Sequence, residues 1–325
     1  MRPRLVGLAL YAAKVGILAA IYVAVARLGL QFDPVSRFAT LVWPPTGVSL
    51  VALVLFGQSL WPGVALGALL ANVWIGAPIP VALGIALGNT LEAMLGAYVL
   101  WRVPGFRPSL DRLTDALAFV AVALLTTLVS ATIGVTSLYA GGVIQASQSA
   151  ETWLAWWQGD ALGDLVVAAF LLAWAPGVWG RTTVRRGVEA AALGVGLLGA
   201  SVLLLGGNPA AEGVLSAFQQ PTTLLPLLIW AALRFGTRGA TGATLLVSTV
   251  AVWSTARGHG PFLRPELHQS LAVLQAFMCV VVVTCLVLAA VTAERRRADR
   301  ERAELFHRER VARAYAEEMQ QQRRA

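Results

Sequence analysis

Charge is scarce in this chain. Only 13% of its 325 residues are Asp, Glu, Lys or Arg, against ~25% in an ordinary soluble domain. Lysine is nearly absent, with Lys14 the single example. The two cysteines, Cys279 and Cys285, lie six residues apart in one apolar run. On a helix they point to different faces, which excludes a disulfide framework. The three histidines, His259, His268 and His307, are isolated, so no metal-ligand spacing is present. No Walker loop, GxSxG, HExxH or dinucleotide fingerprint occurs. An enzyme is therefore not expected, nor is a cofactor or a metal.

What the chain has is long apolar runs. It is 57% hydrophobic, in blocks near 5–29, 38–56, 60–75, 79–101, 115–138, 153–176, 187–206, 221–235, 238–256 and 267–293. Most approach the ~20 residues needed to cross a bilayer. The blocks 60–75 and 221–235 are short and suit tilted or re-entrant segments. The predicted fold is all-α: a polytopic transmembrane helical bundle over 1–293, with about ten apolar segments and eight to ten spans. The opening Met1-Arg2-Pro3-Arg4 and the later Ala24-Val25-Ala26 resemble a signal peptide and its cleavage site. The apolar run is long and many others follow, so an uncleaved first span is expected.

The net charge of +8 reads as arginine on one side of a membrane, not as a nucleic-acid surface. With ten spans, one set of loops carries Arg2, Arg4, Arg102, Arg107, Arg112, Arg181, Arg185, Arg186, Arg234 and Arg238. The other carries only Arg37, Arg257 and Arg264, and loops 139–152 and 207–220 hold no Lys or Arg. The positive-inside rule then puts both termini in the cytoplasm. Trp43, Trp74, Trp153, Trp156, Trp157 and Trp253 fall near outer ends, and Trp61, Trp101, Trp174 and Trp179 near inner ends. That is an interfacial belt. Leu55-Phe56-Gly57 then Gly63 returns as Arg234-Phe235-Gly236 then Gly242, each pair marking a tight turn between apolar segments.

Composition changes after Thr292. Residues 294–325 are rich in Arg, Glu, Ala and Gln, without Gly or Pro, and extend the last span as a cytoplasmic linker helix. Val291, Ala298, Leu305, Ala312 and Met319 repeat every seven residues, but the companion positions Arg295, Arg302, Glu309 and Ala316 are mostly charged. This is half of a coiled-coil signature and points to a homodimeric signalling helix; a solvated charged helix is the other reading.

Few residues are polar and deep. Gly84, Gly88, Glu92 and Gly96 recur in steps of four, so three glycines and one carboxylate share a helix face, with Asn89 beside Glu92. Glycines admit a neighbouring helix, whereas a carboxylate at that depth costs ~2.5–3.5 kcal/mol or more without a partner. Trp43-Pro44-Pro45-Thr46-Gly47 is a stiff helix start. Trp61-Pro62-Gly63 opens another, where Gly63 and Gly67 form a packing stripe. Trp156-Trp157-Gln158-Gly159-Asp160 runs on to Gly163-Asp164. Asp160 and Asp164 stack one turn apart beside Gly159 and Gly163, and the two acids do not both carry charge cheaply. Lys14 is their candidate counter-ion. The expected ligand or signalling set is Glu92, Asn89, Asp160, Asp164, Lys14, Trp43 to Gly47 and Trp157.

Four of these motifs, at 43–47, 61–63, 88–93 (Gly-Asn-Thr-Leu-Glu-Ala) and 156–160, resemble in order and spacing the type-one MASE domain, a membrane-associated sensor. The resemblance covers roughly residues 8 to 293. It implies an input domain of bacterial signalling proteins in the inner membrane, placed ahead of a histidine kinase or a cyclic-di-GMP enzyme. The expected partners are the lipid bilayer, a second copy, a small-molecule ligand or a membrane protein, and a cytoplasmic output domain supplied in cis or in trans. Ligand- or partner-induced rearrangement of the helices would pass down the terminal helix to that output. A transporter or substrate-binding membrane component is the alternative reading. Single cysteines at Gln145, Ala210 and Gly260 test the topology: each should react with an impermeant thiol reagent from the outer face, and labelling of 145 or 210 from the cytoplasm overturns the loop assignment.

Overall fold

A computed structural model of the chain describes residues 2–31, 41–175, 183–207 and 220–324. Arg37, Trp179, Arg181, Ala210 and most of the 207–220 loop lie outside them. The described residues form helices without a β-strand. In order they are α1 (Arg2–Leu30), α2 (Pro44–Phe56), α3 (Trp61–Trp74), α4 (Ile79–Arg102), α5 (Leu113–Leu125), α6 (Thr127–Ala140), α7 (Ala146–Leu162), α8 (Ala169–Ala173), α9 (Val184–Leu205), α10 (Leu225–Ala256) and α11 (Leu267–Arg324).

The starts follow from proline. Pro44 and Pro45, Pro62, and Pro80 occupy first-turn positions, where a missing N–H costs nothing. The breaks follow from glycine. Gly57, at φ +101, ends α2, and Gly236, at φ +67, interrupts α10. Both conformations are poorly tolerated by residues with a Cβ. A π-helical turn, Gly163–Ala168, joins α7 to α8.

Among the described residues five helices are long and apolar enough to cross a bilayer: Val6–Leu30, Ile79–Arg102, Leu113–Ala140, Val184–Leu205 and Gln269–Arg310. The remaining apolar blocks are short or broken. The 13 residues of α2 rise only ~20 Å, less than the ~30 Å hydrocarbon core. Prolines and glycines inside a block shorten the helix without lowering its hydropathy.

Short α2 lies at the centre, with Leu50 and Leu53 at most 1% exposed. It packs against α1, α4 and the π-turn. Around it α1 pairs with α3, α3 with α4, α4 with α6, and α10 with both α9 and α11. Several interfaces are glycine-lined. A Cβ on Gly63 or Gly67 would strike Leu18 or Tyr22 of α1, one on Gly84 or Gly88 would press on Ser137 or Ile133 of α6, and one on Gly96 would press on Leu50.

Helix α11 is 58 residues long. Gln275 donates to Leu41 O at one end of the bundle (3.2 Å). Near the other end Arg297 pairs with Asp111 at 2.6 Å, Glu294 accepts from Leu113 N, and Arg296 donates to Leu233 O. Those contacts form a collar where α11 leaves the bundle. Leu305 and Phe306 beyond it are exposed.

The tightest approach is between α2 and the π-turn, where Gly47 and Gly163 each meet the other element's backbone. Gly163→Ala should cost about 1–3 kcal/mol through overpacking, read as a lower melting temperature in detergent. Gly199→Ala, where nothing lies within 4 Å, should be neutral or stabilising by up to about 1 kcal/mol. Equal melting of the two variants would refute that packing.

Candidate functional site

The backbone brings two sequence motifs together. Trp43 N–H donates to Gly159 O at 2.9 Å, which docks the start of α2 on α7. Gly163 lies under the Trp43 carbonyl, and Gly47 lies against Gly163 O and Ala168 N. This close approach carries Thr46 to Asp160, whose Oδ1 accepts from the Thr46 hydroxyl at 3.0 Å. The position suits an acid: the amino end of a helix bears partial positive charge.

From Asp160 a buried network spreads across four more side chains. Ser130 Oγ lies 2.8 Å from Asp160 Oδ2 and 2.8 Å from Asn89 Oδ1. Trp156 Nε1 donates to Ser130 Oγ at 3.1 Å, and Asn89 Nδ2 donates to Tyr22 O–H at 2.7 Å. Ser130 has one hydroxyl proton facing two acceptors.

Glu92 lies beside Asp160 and Ser130, and Asp164 is near enough for its charge to act on Glu92. All three acids are at most 2% exposed. Both oxygens of Glu92 and Oδ1 of Asp164 make no hydrogen bond. A carboxylate so placed is expensive unless it meets a proton or a cation. No Lys or Arg contributes to this cluster among the described residues. Nor do three His, Cys, Asp or Glu side chains converge there so as to hold a metal ion.

Asn89, Glu92, Asp160, Asp164, Thr46 and Gly47 thus meet at one place, with Trp43 and the prolines at its rim. Pro45 O accepts from Ser49 Oγ at 2.7 Å, and Pro44 borders an apolar cavity of about 410 Å³ that also touches Leu28, Val166, Val202 and Trp253. Gly159 supplies the carbonyl that Trp43 uses, and Gly84, Gly88, Gly96, Gly63 and Gly67 lie at the helix contacts described above. One expectation is corrected, and one candidate stands outside the network. Lys14 is exposed, because α1 turns Val15, Leu18, Ala19 and Tyr22 inward instead, so it is not the acids' counter-ion. Trp157 is half-buried, stacks on Trp153 and donates to Leu124 O at 2.9 Å. Its neighbour Trp156 joins the network and is buried.

Tyr22, Ser130 and Trp156 were missed from the sequence. Trp156 was within reach, since it precedes Asp160 by four residues and so shares its face. Ser130 and Tyr22 carry no such signal, as each is one polar group in an otherwise apolar run.

The helices and this core define a multi-helix membrane protein built around a buried polar cluster. A MASE1 family profile matches residues 15–296. The chain belongs to the MASE1 family of membrane-associated sensor domains. No curated protein and no solved structure matches it.

Removing the central acceptor should be costly. Asp160→Ala leaves the Thr46 and Ser130 hydroxyls without their acceptor and should lose about 1–3 kcal/mol, read by thermal unfolding in detergent. Asp160→Asn, which keeps one acceptor oxygen, should lose less. Lys14→Met should stay within about 0.5 kcal/mol of the parent; a larger loss would return Lys14 to the network.

Proposed function

We propose that the chain is the membrane-embedded input domain of a bacterial signal-transduction protein and that the Glu92–Asp160–Asp164 cluster is its responsive element. One observation carries this reading: three buried acids, with no cation beside them among the described residues, lie where α2, α4, α6 and α7 meet. Such a group changes state when a proton or a small cationic ligand reaches it. Asp160 is bonded to the start of α2, so the change acts on the central helix.

The path outward is short. Gln275 of α11 bonds Leu41 O, just before α2, and α11 runs unbroken to Arg324. A shift or rotation at the cluster would re-register α11 within its collar, and the tail, paired with that of a second copy, would pass the change to a kinase or cyclic-di-GMP output module. This reading keeps the arginine-rich end and both termini in the cytoplasm, the chain in the inner membrane, and the short helices as further crossing or re-entrant segments.

Fusion of residues 1–325 in frame to a reporter histidine kinase tests it. Glu92→Gln and Asp160→Asn should each fix the output high or low, a change of about five- to hundredfold, at unchanged membrane level by immunoblot. Output that is the same for parent and variants under every ionic condition and pH would count against sensing and for transport.

A further inference from the structure

A second site lies at the arginine-rich end, away from the acid cluster. A groove of about 470 Å³ runs between α9 and α10, within the ~300–1,000 Å³ usual for pockets that hold small-molecule groups. Its mouth holds Arg186, Arg238 and Trp174, and its depth is apolar, lined by Leu193, Leu197, Ala231 and Leu246. No acid lines it among the described residues. Glu189, between Arg186 and Leu193 on α9, is held through both oxygens by Arg234. The cavity at the opposite end of the bundle has no charged side chain in its wall, so charge and apolar depth are combined only at the arginine-rich end of these two cavities.

The shape of the groove is built in. Gly187 and Gly194 of α9 face it with nothing among the described residues within 4 Å of where a Cβ would stand. Glycine in a helix costs ~1 kcal/mol relative to alanine, commonly offset by close helix packing. Here the two glycines open a furrow instead. The arginines are positioned by backbone: Arg186 donates to Arg234 O at 3.2 Å and Arg238 Nε to Ala173 O at 3.1 Å. Arg234 O borders the break in α10 at Gly236, which frees nearby carbonyls, and Ala173 O stands at the carboxyl end of α8.

We infer that this groove binds one anionic phospholipid, with its phosphate at Arg186 and Arg238 and part of an acyl chain along Leu193, Leu197 and Leu246. Paired cations at a membrane surface above an apolar furrow match an acidic headgroup joined to a hydrocarbon tail. A zwitterionic headgroup brings its own cation towards the arginines, and a free anion leaves the furrow unfilled. The site also reaches the output helix. Arg296 of α11 donates to Leu233 O, on the same broken turn of α10 that places Phe235 in the groove wall. Lipid occupancy would therefore bear on the collar of α11 whatever the acid cluster senses.

Native mass spectrometry of the full chain in detergent tests this, with phosphatidylglycerol and phosphatidylcholine titrated in parallel. One phosphatidylglycerol should be retained in preference to phosphatidylcholine. Arg186→Gln should weaken that retention about fivefold, as expected for the loss of one arginine near a headgroup. Gly194→Leu, whose Cβ stands in open space among the described residues and whose side chain occupies the furrow, should weaken it comparably while leaving the melting temperature of the lipid-free protein unchanged. Arg264→Gln, at the other end of the bundle, should change nothing. Equal retention of the two lipids, or retention unaffected by Arg186→Gln and Gly194→Leu, would show annular lipid only and overturn the proposal. Displacement of the lipid by excess inorganic phosphate would also overturn it, because the site would then be one for free anions.

Discussion

A carboxylate surrounded by hydrocarbon must find hydrogen-bond donors, a cation or a proton, and much of this architecture is the means by which Asp160 finds donors. Its two oxygens face the hydroxyls of Thr46 and Ser130, which belong to helices far apart in sequence. To supply them, α2 must begin against α7 and α6 must lie along α4. Both conditions depend on residues without side chains, Gly47 and Gly163 at the first contact and Gly84 and Gly88 at the second. Bulk at those places would separate the hydroxyls from the acid and leave buried polar groups unsatisfied.

The network is also uneven, and its unevenness defines the site. Asp160 is well supplied, whereas Glu92 and Asp164 beside it retain oxygens that bond to nothing. A fully satisfied polar core stiffens a protein, and a partly satisfied one stays sensitive to whatever can complete it. α11 is tied to the rim of the bundle through Gln275 and Leu41 and to its basic end through Asp111, Leu113 and Leu233, so it is held at two levels.

Helix breaks carry as much of the design as helix contacts. Gly57 and Gly236 follow a phenylalanine in each case, take positive φ and stop a helix. At Gly236 the freed carbonyls become acceptors for Arg186 and Arg296, so a backbone interruption gathers cations that a continuous helix would leave scattered.

The chain order alone determined that this is an all-helical protein of the membrane, where its apolar blocks lie, and which family its motifs resemble, because hydropathy and local motifs are properties of neighbouring residues. It also marked Glu92, Asn89, Asp160 and Asp164, since a polar group in an apolar run stands out without any knowledge of its partners. What those residues meet was decided in three dimensions. Lys14 had the right sign and depth but not the right face of α1, and Trp157 had the right neighbourhood but lost to Trp156 by 100° of helical rotation. Ser130 and Tyr22 became partners only because α6 and α1 are brought in by glycines on the helices opposite. Where the helices break was likewise decided by prolines and glycines. Depth and composition can be summed along a chain, but which side chains touch depends on rotation and close approach between segments, and those are set by packing.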